Sequence, residues 1–130
     1  MNKYLAKIIA SDQEGLQMIS VCCAGAKVRA TDIKYLKTSK VFLLSIERVK
    51  IEIEEVNKKI NSICRFDFVD KVRSKNIDQT NHDKILELIG IDYLKNNDDY
   101  EINLIFKDNA YISLITEAIE VRLEDQSEIK

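Results

Sequence analysis

The stretch SICRFDFVDKVRSKNID, Ser62–Asp78, decides how the rest of the chain is read. Cys64, Phe66, Phe68 and Asp70 alternate with Arg65, Asp67, Val69 and Lys71. Two aromatic residues two positions apart fall on one face, and an arginine and an aspartate fall on the other. A period of two marks a half-buried strand, because successive side chains point to opposite sides of a pleated backbone. Past Val69 the apolar parity shifts, since Val69 and Val72 are three apart, and a bulge near Asp70 accounts for this. Lys71, Arg73 and Lys75 then line one side with positive charge. Lys75-Asn76-Ile77-Asp78 reads as the exit turn, since asparagine tolerates a left-handed backbone. The flanking segments look built to pair with this one strand.

Upstream, Lys3–Ala10 reads as a short strand. Ser11 is the expected N-cap of a helix, with Glu14 three residues on and acids in its first turn. That helix runs to about Ala24. Leu16, Ile19 and Cys23 share its apolar face with Met18 and Cys22, and Gly25 is its stop. Lys27–Leu36 and Val41–Val49 form an expected hairpin around the polar loop Lys37-Thr38-Ser39-Lys40, with Phe42, Leu44 and Ile46 alternating cleanly. Lys50–Lys59 fits a strand extension or a charge-patterned helix, and is taken as a solvent-exposed excursion.

Downstream, Ile85–Leu94 reads as a strand, with a helix through Ile85, Leu86, Leu88 and Ile89 as the alternative. Tyr100, Ile102, Leu104 and Phe106 alternate strictly, and Lys107-Asp108-Asn109 closes a second hairpin. Ala110–Glu124 is extended with a bulge at Glu117-Ala118, a helix through Ile115, Ile119 and Leu123 being the alternative. Residues from about 125 form a polar tail.

One strand, one helix and about six further strands on short links predict an α+β single domain spanning 1–130. It is mostly an antiparallel meander, curled into a half-barrel on the N-terminal helix. The architecture is pleckstrin-homology-like in general terms, although there the helix is C-terminal.

With 130 residues, 45% of them hydrophobic and 32% charged, the composition is that of an ordinary globular domain. No apolar run is long enough for a membrane-spanning helix, and the N-terminus does not read as a signal peptide, so a cytoplasmic setting is expected. The net charge of −2 is unevenly spread: residues 1–50 carry nine Lys/Arg and four Asp/Glu, residues 51–130 eleven and eighteen. That balance argues against a strongly basic nucleic-acid binder.

No motif assigns a function. The three cysteines, adjacent Cys22 and Cys23 and distant Cys64, form no C-x-x-C and read as small buried hydrophobes. His82 is the sole imidazole and sits in a polar connector with no nucleophile pattern beside it. Gly15, Gly25 and Gly90 are too scattered for a phosphate loop. The acids Asp92, Asp98, Asp99, Glu101 and Asp108 lack calcium-loop spacing. No enzyme activity, cofactor or metal is therefore expected.

Lys34, Lys37 and Lys40 around the first hairpin, with Lys71, Arg73 and Lys75, form a candidate binding patch for phosphate, RNA or lipid headgroups. The plainer reading is a solvated face, because edge strands carry lysines against aggregation. Arg73 with Ser74 and Asp78 forms a polar cluster at the strand end that is a further candidate binding spot; the preferred reading is an arginine that satisfies turn carbonyls or pairs with Asp78 or Asp32.

The chain resembles a small bacterial family known only as domain of unknown function 2948, from about Leu5 to Glu124. The resemblance is carried by EGLQMIS (Glu14–Ser20), VRATDIKYL (Val28–Leu36), FDFVDKVRSKNID (Phe66–Asp78), ELIGIDY (Glu87–Tyr93) and AIEVRLED (Ala118–Asp125). The family pattern has glycine where this chain has Asn76, whose side chain still permits the backbone angles. It has proline where this chain has Lys37, which removes a rigid turn residue. The family brings no activity, cofactor or substrate.

The leading expectation is a non-enzymatic adaptor domain that engages a protein partner through a groove or a sheet edge, with strand addition as one mode and homodimerisation left open. The alternatives are a small-ligand domain with an apolar cavity between helix and sheet, lined by Phe66, Phe68, Tyr93 and Phe106, and a weak anion or RNA binder acting through the hairpin lysines.

Overall fold

Phe68 is where the expected continuous strand breaks. Its φ of 60° lies in the left-handed region, which a bulky side chain adopts only where the surrounding structure imposes it. The structure, a computed structural model, describes residues 5–49, 59–78, 80–81 and 83–128. Its elements are β1 (Lys7–Ala10), α1 (Gln13–Cys23), β2 (Ala26–Arg29), a 3₁₀ turn (Ala30–Asp32), β3 (Ile33–Leu36), β4 (Val41–Val49), β5 (Lys59–Phe66), β6 (Val69–Lys75), β7 (Ile85–Asn96), β8 (Asp99–Phe106), β9 (Ala110–Thr116) and β10 (Val121–Glu128). Among the described residues all the strand pairings are antiparallel, and one helix and one large bent sheet make the α+β half-barrel expected from the sequence.

The strand order is β1-β10-β5-β4-β2-β7-β8-β9-β6, with β3 pairing β4 off this path. β3–β4–β5 and β7–β8–β9 follow the chain, but the other neighbours do not. The Ser62–Asp78 stretch is two strands, β5 and β6, that pair with different partners. A second break, Glu117–Glu120, lies against the first. The Asp67 amide donates to the Glu120 carbonyl at 3.0 Å, and the Glu117 amide donates to the Phe68 carbonyl at 3.1 Å. The β5–β10 pair therefore turns a corner and continues as β6–β9, which carries the sheet around without closing a barrel. Corners of this kind arise where strands change sheets through local bends. The bulge expected at Glu117-Ala118 is a full break for the same reason.

The helix caps the hollow side. Its N-cap is Asp12 and not Ser11: the Asp12 Oδ1 accepts from the Gly15 amide at 2.8 Å. Leu16, Ile19, Cys22 and Cys23 are buried against the sheet, whereas Met18 is exposed. At Gly15 an added Cβ would come within 2.9 Å of Ala10, so only glycine permits this approach of α1 to β1. The Ser20 hydroxyl accepts from the Ile91 amide at 2.8 Å, just past the bulge between Leu88 and Gly90.

Other boundaries differ from expectation. Residues 27–36 do not form one strand, because the 3₁₀ turn hands the chain from β2, paired with β7, to β3, paired with β4. The excursion expected over Lys50–Lys59 lies outside the described residues except for Lys59, which begins β5. Ile85–Asn96 is a strand throughout, so the helical alternative falls away. Of the expected polar tail, residues 129–130 lie outside the described residues, and Asp125–Glu128 is the second half of β10. Asp125 in it is buried, and its carboxylate meets Arg48 at 3.0 Å, both side chains wholly shielded from solvent.

Candidate functional site

A sheet that turns a corner without closing leaves edges. Among the described residues β6 pairs only with β9, and β3 pairs only with β4. These two edges face each other. They touch at one end, where the Val69 amide donates to the Lys40 carbonyl at 2.8 Å and the Tyr35 hydroxyl donates to the Val69 carbonyl at 2.9 Å. The Lys40 ammonium binds Asp70 at 2.9 Å and Glu117 at 3.0 Å, which adds an ionic stitch. These two hydrogen-bonded carboxylates, Asp70 first, raise the Lys40 pKa above the ordinary lysine range. A raised lysine pKa leaves the stitch whole below the ordinary value, and it is lost only as the pH climbs through the folded-state value.

Beyond this closure a notch of about 310 Å³ separates the edges, lined by Ala30, Thr31, Ile33, Tyr35, Phe42, Val72, Ser74, Ile77 and Ile112. Alternation along the strands explains the lining. Ile33 and Tyr35 of β3 turn inward, while Lys34 and Leu36 are exposed. On β6, Val72 and Ser74 line the notch, and Lys71, Arg73 and Lys75 stand exposed between and beside them. The walls are therefore apolar within and cationic without.

Tyr35 measures how firmly the edges are joined. Tyr35→Phe removes its bond to the Val69 carbonyl with little change in shape. The expected loss is about 1 kcal/mol in urea unfolding, with faster amide exchange in β3. Unchanged stability together with unchanged exchange would mean that the bond does not hold the closure.

The structure places the six candidate patch residues in three settings. Lys34 flanks the notch from β3, and Lys71, Arg73 and Lys75 flank it from β6. Lys37 lies in the exposed β3–β4 turn, and Lys40 is consumed by its two carboxylates. Lys75 lies over the Tyr111 ring, 5.9 Å from its centre. Arg73 makes no ion pair with Asp78 or Asp32. The Asp78 carboxylate instead accepts from the Thr80 hydroxyl at 2.6 Å and the Thr80 amide at 2.9 Å. These bonds, the hydroxyl's first, lower its pKa. Arg73 and Lys75 also border a wide, open hollow of about 1150 Å³ on the outer face, whose far side carries Asp92 and Glu101.

Phe66, Phe68, Tyr93 and Phe106 do not surround a common space. Phe66 and Phe106 are core residues, Phe68 is 47% exposed, and the Tyr93 hydroxyl reaches Gln13 of α1 at 3.2 Å. An apolar pocket lies at the β3–β6 notch, and Tyr93 lines a separate open hollow between α1 and β7 with Leu16, Val21 and Ile91. Sequence reading singled out Ser74 but missed Tyr35 and Val72 as site residues, although Val72 lies at opposite parity to the cations that it did single out.

Cys22, Cys23 and Cys64 are buried thiols. The hydrogen-bonded Cys23 thiol and then burial raise the Cys64 pKa well above the ordinary value, which keeps it protonated and unreactive. No group of three or more potential metal ligands occurs among the described residues. His82 lies outside them. No helix among them is long and apolar enough to cross a membrane.

No curated protein and no solved structure matches the chain. The match is to a family model over residues 6–130, and on it the chain belongs to the family described as protein of unknown function (DUF2948).

Proposed function

We propose that the protein is a non-enzymatic adaptor domain, working in the cytoplasm, that takes up an extended segment of a partner protein by strand addition at the β3–β6 notch. The observation that carries this reading is the pair of unladdered edges, β3 and β6, facing each other across an apolar pocket. An exposed edge offers a row of backbone donors and acceptors, and pockets beside it select alternate side chains of the added strand. The notch volume suits one or two aliphatic side chains. β6 is the better template, since seven residues run along it against four in β3.

The test is to select extended peptides against the full chain from a random display library, then titrate the best into isotope-labelled protein. Amides of β3 and β6 are expected to shift, and the outward amides of β6 to gain exchange protection. Protection at β1, or at no strand edge, would refute the reading. An apolar small molecule is the second reading, supported by the pocket's six larger apolar side chains, Ile33, Tyr35, Phe42, Val72, Ile77 and Ile112. It would shift those side-chain signals and protect no edge amide.

A further inference from the structure

We infer that the segment taken up at the notch is acidic, with carboxylates alternating with aliphatic side chains; this rests on the strand-addition reading and gives the partner its chemistry. A strand lying along β6 must continue the pleat of its neighbours. Its inward residues then enter the pocket between Tyr35 and Val72, and its outward residues lie level with the outward residues of β6 and β3. Those are Lys71, Arg73 and Lys75 on one side, and Lys34 with Leu36 on the other.

Directly opposite side chains in a sheet stand about 5 Å apart, close enough for unlike charges to attract and like charges to repel. Lys34, Lys71 and Arg73 make no ion pair with a described residue, so their charges face outward unmatched. Residues two apart on β6 repeat every ~6.8 Å, the same period as the outward residues of any added strand. A row of cations on that period matches a row of carboxylates at every second position. The acid on this edge, Asp70, is already bound to Lys40 and lies at the closed end.

The same cations exclude a second copy of β6, because two such edges would set lysine against lysine or arginine. A polyanion without an extended backbone would use the charges and leave the pocket and the edge amides untouched. Both features are explained together by an acidic, alternating peptide.

The probes are three short blocked peptides: one alternating valine with glutamate, one alternating valine with lysine, and one with the valines and glutamates of the first in non-alternating order. Fluorescence anisotropy on the full chain reads their affinities. The alternating glutamate peptide is expected to bind at least about tenfold more tightly than either other, the gain from two or three cross-strand charge pairs. The double variant K71E/R73E is expected to reverse the order of the two alternating peptides, and Lys34→Glu to weaken the glutamate peptide from the opposite edge. Equal binding of the two alternating peptides would overturn the charge inference while leaving strand addition standing. Equal binding of the alternating and non-alternating glutamate peptides would overturn it as well, reducing recognition to bulk charge. Binding of none, alongside a display-selected peptide that does protect β6, would also overturn it. Binding of none with no selectable peptide would bring down strand addition itself. The comparison of peptides on the unaltered protein decides the matter even if a variant folds poorly.

Discussion

Asp125→Ala is expected to destabilise the protein by about 3–5 kcal/mol, because it takes the carboxylate away from a buried guanidinium. Arg48 is 1% exposed, a core position for a charge. Its Nη2 binds both carboxylate oxygens of Asp125, at 3.0 and 3.1 Å, and its Nε lies 3.2 Å from Oδ1. The Ser62 hydroxyl donates to Oδ1 at 2.6 Å and accepts from the Arg48 Nε at 3.2 Å. The Ala6 amide donates to Oδ2 at 2.8 Å, and the Asp125 amide donates to the Ala6 carbonyl at 2.9 Å. One carboxylate thus joins β4, β5, β10 and the segment leading into β1.

The pair stabilises the fold less than its removal costs. Two buried ions lose their hydration, and well-packed apolar residues of similar volume often serve as well. The triple variant Arg48→Met, Ser62→Ala, Asp125→Leu is therefore expected to be more stable than Asp125→Ala alone. It remains below the natural protein by about 1–3 kcal/mol, because the Ala6 amide is left without its acceptor. Urea unfolding of both variants gives the order. A loss below about 1 kcal/mol in the single variant would mean that water reaches the guanidinium and the network is not closed.

This network shows what could be read in the sequence and what could not. Phe42, Leu44 and Ile46 are legible as the inward row of β4, and Arg48 is the next residue of that parity. Ser62 precedes Cys64 and Phe66 in the same way, and Asp125 follows Val121 and Leu123. The β4 and β10 rows pass into a polar residue, which reads alone as a strand leaving the core, and Ser62 interrupts the β5 row between buried Ile60 and Cys64. Only the register, with Ser62 opposite Asp125 and Arg48 opposite Ile60, places the three polar residues together. Pairings between residues far apart in sequence depend on the whole topology, and local periodicity does not carry them. The helix, the β7–β8–β9 meander and the bent antiparallel sheet are local or compositional, and they were legible. The notch was legible in half. The parity of Lys71, Arg73 and Lys75 stood out, but nothing in a single strand says that its other edge is unpaired. Read as one strand, Ser62–Asp78 sits at the centre of the sheet; broken at Phe68, its second half becomes an edge.

Two phenylalanines two residues apart test that break. A continuous strand puts Phe66 and Phe68 on one face, and truncating either would cost a similar amount. The corner separates them. Phe66 is fully buried, lies opposite Phe42 and Val121, and meets the Phe42 ring edge-on at 6.0 Å between centres. Phe68 is half-exposed in a left-handed backbone. Phe66→Ala is expected to cost about 3–5 kcal/mol, through lost burial and the cavity left behind. Part of that is the aromatic pair, worth about 0.5–1.5 kcal/mol beyond its area. Phe68→Ala removes a side chain that packs little, and is expected to stay within about 1 kcal/mol of the natural protein. Both follow from urea unfolding with the slopes compared, since an altered slope would mean that the unfolded or native state itself had changed. Near-equal losses would restore the continuous strand, return β6 to the interior of the sheet, and remove the edge on which the binding proposal stands. The chain can offer β6 to a partner only because it turns at Phe68, after Phe66 has fixed the end of β5 in the core.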